Sequence, residues 1–172
     1  MTGNTTFRLG IVGHRWNKLG QTDMPRLTRR LAEAFAQIAD GQPGVTLVCG
    51  LAEGTDILAA ATRAEGWGLE AVLALPPEAW RAHVARQGGV TAAELSRLDA
   101  ALAVAEIVVV PQADAPNYAG VADHLLQTCD HILAVWDGAP GPSAGTYDVL
   151  TRARAAGLPC TVVQITAAAG QA

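Results

Sequence analysis

Three short segments combine glycine with polar or charged side chains in a way that could hold an anion. Gly13-His14-Arg15-Trp16 follows an apolar run; its glycine lets the backbone approach closely, and two side chains able to meet an anion or a base come next. Gly50-Leu51-Ala52-Glu53-Gly54-Thr55-Asp56 follows a second apolar run and sets two glycines four apart at the start of a helical stretch. Close approach or positive φ at each glycine, amides facing one point and the positive end of a helix dipole behind them would make this a phosphate cradle. Trp136-Asp137-Gly138, followed by Pro140 to Thr146, supplies another glycine-rich turn in which Gly145-Thr146 opens the next helix. Neither loop continues as Gly-Lys-Ser/Thr or reads G-x-G-x-x-G, which disfavours P-loop NTPases and dinucleotide enzymes of those kinds.

Each side chain also has a structural reading. Arg15 can grip a phosphate or carboxylate in two-pronged fashion, and His14 stands beside it. Glu53 and Asp56 can accept hydrogen bonds from ribose hydroxyls or favour a helix start through the dipole, and for Asp56 both can hold at once. Thr146 is expected to be both an N-cap and a phosphate contact. Trp136 is either core or a stacking platform for a base. An enzyme cleaving an N-glycosidic bond would need a carboxylate facing the anomeric carbon, with Glu53, Asp137 or Asp148 as candidates. His83, His124 and His131 are scattered, and Cys49, Cys129 and Cys160 stand alone, so no residue set calls for a metal or a cofactor. Ser143 lacks a nucleophile-elbow frame.

These loops need a scaffold that delivers them to one place. Apolar runs at Arg8 to Val12, Val45 to Cys49, Leu69 to Leu75, Ile107 to Val110, His131 to Trp136 and Leu158 to Ile165 alternate with helix-like stretches, the pattern of a parallel sheet covered on both faces. The expectation is an α/β, Rossmann-like three-layer sandwich with a mainly parallel sheet, in which all runs but the second and fourth are central or near-central strands. Leu27, Leu31, Ala34, Phe35 and Ile38 recur at helical spacing behind Pro25. A helix after Gly54 is expected to stop at Gly66, and Thr91-Ala-Ala-Glu94 reads as a capping box. Further helices are read over 77–87, 118–128 and 146–156. Ligands of such sheets bind beyond the carboxyl ends of the strands, where the three loops fall.

The 172 residues make one domain, with a core over about 7–166 and a short alanine-rich tail that reads as flexible and disposable. Half the residues are apolar, and 12 Lys plus Arg against 16 Asp plus Glu leave a net charge of -4. With no basic block, duplex nucleic acid and anionic membranes are poor partners. The polar start is no secretory signal, and no apolar run nears the ~20 residues of a membrane span, so a cytoplasmic location is expected.

Gly-Ile-Val-Gly-His-Arg at Gly10 to Arg15, Gly-Leu-Ala-Glu-Gly-Thr-Asp at Gly50 to Asp56 and Val-Trp-Asp-Gly with Gly-Thr-Tyr-Asp across Val135 to Asp148 resemble the SLOG superfamily. This is the Rossmann-like group named after the SMF/DprA and LOG proteins. Leu75-Pro76-Pro77 with a following tryptophan, and Tyr118 leading a helix, are similar to its bacterial stand-alone branch; the likeness runs from about Phe7 to Ile165. It implies a binding surface of Gly13, His14, Arg15, the Gly50 to Asp56 loop, Pro76, Asp137, Gly138, Gly145 and Thr146, a nucleotide or ADP-ribose-like ligand, and a homo-oligomer. A LOG-like or deoxyribosyltransferase-like enzyme and a DprA-like single-strand-DNA or protein-interaction scaffold remain the alternatives. In the ribotide-cleaving pattern Pro-Gly-Gly-x-Gly-Thr-x-x-Glu, Pro142 and Ser143 stand for the two glycines and Val149 for the glutamate.

Overall fold

The computed structural model describes residues 6–111 and 115–166; most of the polar N-terminal stretch and the alanine-rich tail beyond Thr166 lie outside the described residues. Strands β1 (Phe7–Gly13), β2 (Val45–Cys49), β3 (Gly68–Leu73), β4 (Glu106–Val109), β5 (His131–Trp136) and β6 (Cys160–Gln164) form one parallel sheet in the order β4-β3-β2-β1-β5-β6. One face carries α1 (Trp16–Leu19), α2 (Met24–Ala39), α3 (Thr55–Thr62), α4 (Pro77–Ala85) and α5 (Ala92–Val104); the other carries α6 (Tyr118–Thr128) and α7 (Thr146–Ala155). The chain is therefore an α/β three-layer sandwich of Rossmann-like type. No helix of the described residues is long and apolar enough to cross a membrane.

Two strand placements differ from expectation. β2 is interior, held between β1 and β3, and all but its second residue are buried. β6, expected near the centre, is an edge strand and mostly half-buried. An apolar run reports that both faces are covered, not how many strands lie beside it; β6 is apolar because α2 packs on one side and α7 on the other.

Helix starts follow local chemistry. The Asp23 side chain accepts the Arg26 N–H at 3.0 Å ahead of α2, with Pro25 in its first turn. Thr91 accepts the Glu94 N–H at 3.2 Å, which is half of a capping box; the Glu94 carboxylate points elsewhere. α3 stops at Thr62, four residues before Gly66. Gly145, not Thr146, is the N-cap of α7, so Thr146 is already the first helical residue.

The path through the sheet fixes where a crevice can open. From β1 the chain moves outward through β2, β3 and β4, then returns to the other side of β1 to lay down β5. Helices leave β1 and β5 toward opposite faces, which opens a crevice beyond these two strand ends.

Candidate functional site

Beyond the carboxyl ends of β1 and β5, where Gly13 pairs with Val135, lies a cleft of about 230 Å³. Its deep lining is apolar, from Ile11 and Val12 of β1, Val121, Ala122 and Leu125 of α6, and Val149 of α7. Tyr118 at the start of α6 and Trp80 of α4 add aromatic surface. So do Trp136 and Tyr147, whose rings lie 6.1 Å apart, and the Trp136 indole is fixed by donating to Ala139 O at 2.9 Å. Three basic side chains, His14, Arg15 and Lys18, complete the lining. An apolar interior with a few convergent polar groups is the composition of a small-molecule site.

Eight of the fifteen residues singled out in the sequence line this cleft: Gly13, His14, Arg15, Gly50, Ala52, Asp56, Gly145 and Thr146. The other seven do not. Leu51 is fully buried and accepts the Trp80 indole N–H at its carbonyl, 3.1 Å away. Gly54 and Thr55 are packed under the β1 end: the Thr55 N–H and hydroxyl both donate to His14 O, at 3.2 and 2.8 Å. Pro76 is exposed at the start of α4, and Gly138 makes a positive-φ turn. Glu53 sits behind Arg15, 3.6 Å from its guanidinium, and Asp137 lies under His14 and Lys18 at 2.9 and 3.6 Å. None of Glu53, Asp137 and Asp148, the carboxylates weighed as catalysts, lines the cleft, and the alkyl group of Val149 does.

The glycines have internal reasons for being glycine. A Cβ on Gly13 would stand 2.4 Å from Thr55 Cγ2, and one on Gly54, at φ +90°, would stand 2.9 Å from His14 O. Close approach is needed here by α3 against the β1 end, whereas the sequence reading assigned it to a ligand.

The amides of the two glycine-rich loops are used differently. In the β2–α3 loop the Ala52 N–H donates to Asp56 Oδ2 at 3.3 Å, the Gly54 N–H to Glu94 Oε1 at 2.8 Å and the Thr55 N–H to His14 O. The expected phosphate cradle is thus already occupied by a carboxyl group, that of Asp56. The reason is local: a carboxylate two residues past the N-cap folds back over the loop that precedes it. In the β5–α7 loop Ala144 donates to Asp148 Oδ2 at 3.0 Å and Gly145 to Pro142 O at 3.1 Å, but the N–H groups of Thr146, Tyr147 and Asp148 have no acceptor among the described residues. Leu51 and Ala144, the positive-φ non-glycine residues among those described, fall one in each loop. Such strained backbone persists only where its surroundings fix it.

The charges are set by burial and by these contacts. Burial pushes the Asp56 carboxyl up to about 7, against the opposing pull of the Ala52 amide and Arg15. Burial also raises Glu53, only partly offset by Arg15, and Glu53 Oε2 is a buried oxygen without a hydrogen-bond partner. Burial disfavours the charge on Asp137, yet the Ala139 N–H, His14 and Lys18 together hold it below the usual carboxylate range. Burial likewise opposes the charge on Arg15, while Tyr118 and Glu53 hold it above its ordinary value, its guanidinium carbon 4.8 Å from the Tyr118 ring centroid.

Sequence reasoning missed Tyr118, Lys18, Trp80 and Tyr147. Lys18 was within reach, three residues past Arg15 and one helical turn onward. Tyr118 follows Asn117, whose side chain accepts the Gly120 N–H at 2.8 Å, so a capped helix start was readable. Which strand end that start would face was not. No protein-family model matches the chain, and no curated protein matches it.

Proposed function

We propose that this protein binds a nucleotide or nucleotide-derived small molecule in the cleft beyond β1 and β5, as the SLOG-like sequence motifs imply. The observation that carries this reading is the joining, in one crevice, of an apolar and aromatic interior with the open amides of α7 and the basic groups His14, Arg15 and Lys18. A base fits the first and a phosphate the second, because a helix N-terminus with unpaired N–H groups favours negative charge. The reading keeps a homo-oligomer and a cytoplasmic location as part of the proposal; sedimentation at micromolar concentration tests the former.

A thermal-shift titration with adenosine monophosphate tests the binding. Ligand at ~100 times its dissociation constant should stabilise the fold by about 2.7 kcal/mol. Arg15→Ala combined with Thr146→Ala should abolish the shift; a shift that survives this double change contradicts the assigned cleft. Free base released from the same nucleotide would instead favour the N-glycosidic enzyme.

A further inference from the structure

Resting on that reading, we infer that Asp56 is a specificity-determining residue: by holding the β2–α3 loop with its own carboxylate, it limits the cleft to ligands carrying a single phosphoryl group and turns that lip toward hydroxyls. Three observations lead there. First, three amides of that loop which a second phosphate would need are spent on protein acceptors, Ala52 on Asp56, Gly54 on Glu94 and Thr55 on His14 O. Second, the lip is lined and backed by carboxyl groups of its own. Asp56 lines the cleft and is about nine-tenths buried, Glu53 and Glu94 stand behind it, and the nearest cation, Arg15, is already shared with Glu53. A phosphate placed there would meet these carboxyl groups in a poorly solvated setting, where repulsion from their ionised forms is weakly screened.

Third, one lip is more open than the other. The N–H groups of Thr146, Tyr147 and Asp148 at the start of α7 face no acceptor among the described residues, whereas in the matching turn of α3 Thr55 donates to His14 O and Ile57 to Ala52 O, leaving the Asp56 N–H alone. A carboxylate already accepting from backbone amides keeps lone pairs for ligand hydroxyls, so a sugar can lie against Asp56 where a phosphate cannot.

The test is calorimetric titration at about pH 8, where the Asp56 carboxyl is ionised, of the full chain and of Asp56→Asn with adenosine 5′-monophosphate, the 5′-diphosphate and ADP-ribose. Asn keeps the shape and an acceptor for Ala52 N–H but removes the charge. The wild type is expected to bind the monophosphate at least ~10-fold more tightly than the other two, and the variant to bring that ratio near one. Equal or tighter wild-type binding of the diphosphate or ADP-ribose overturns the assignment to Asp56 and leaves the nucleotide reading standing. A variant whose ratio matches the wild type overturns it as well. If none of the three binds, the nucleotide reading falls and takes this inference with it. Should Asp56→Asn fail to fold, the wild-type ratio alone decides.

Discussion

Glu94, in the first turn of α5, accepts the Gly54 N–H at 2.8 Å through one carboxylate oxygen and the indole N–H of Trp16 through the other. One buried side chain thus joins α5 to the start of α3 and to α1, the three pieces that hold the β1 and β2 ends in place. Its partners have no other acceptor within the described residues. Glu94→Ala should therefore lower stability by about 3 kcal/mol, since charged hydrogen bonds are lost and a buried amide is left unpaired. Glu94→Gln should cost less: its carbonyl can still accept from Gly54, but its amide then faces the Trp16 donor. Urea unfolding of both variants checks this order.

Asp56 makes stability depend on pH in the sense opposite to most carboxylates. Burial raises its folded-state pKa from 3.8 to about 7, so the folded protein holds the proton more tightly than the unfolded chain. That contribution is complete below about pH 3.8 and is lost as pH rises through about 7, falling by roughly 1.4 kcal/mol for each pH step between the two values. Asp56→Asn should remove this slope, so that the stability difference, variant minus wild type, grows in the variant's favour between about pH 4 and pH 8. Denaturant midpoints across that range measure it, and a difference that stays flat or falls would contradict the buried carboxyl.

Gly13 is placed for Thr55. Gly13→Ala brings a methyl group to 2.4 Å from the Thr55 side chain, which is pinned to His14 O and has little room to retreat. The expected loss is about 2 kcal/mol, typical of overpacking, with a lower melting temperature that bound nucleotide does not fully restore. Gly41→Ala serves as the control: with open space around its Cβ, it should cost only its positive-φ strain.

Periodicity made the layers readable. Leu27, Leu31 and Phe35 announce one face of α2, and each apolar run that reads as a strand is one. The strand order was not readable, because β2 and β6 are both apolar runs while one is interior and the other an edge. At the site, the loops could be found from their glycines, and they do meet at one rim. What could not be read is which groups their amides serve: the partners Glu94 and His14 lie about 40 residues from Gly54 and Thr55, and only the fold brings them within hydrogen-bonding distance. Asp56 was legible as a helix-start carboxylate, but not as the occupant of its own loop.

Nucleotide binding at the open lip is best followed by an amide chemical-shift titration of the isotope-labelled protein with adenosine 5′-monophosphate. The largest changes are expected at Thr146, Tyr147 and Asp148, with Tyr118 and Lys18 responding, and small changes at Gly54 and Thr55, whose N–H groups are already bonded within the protein. Saturating nucleotide that leaves the first turn of α7 unmoved, or moves residues on another part of the molecule, would contradict binding in this cleft.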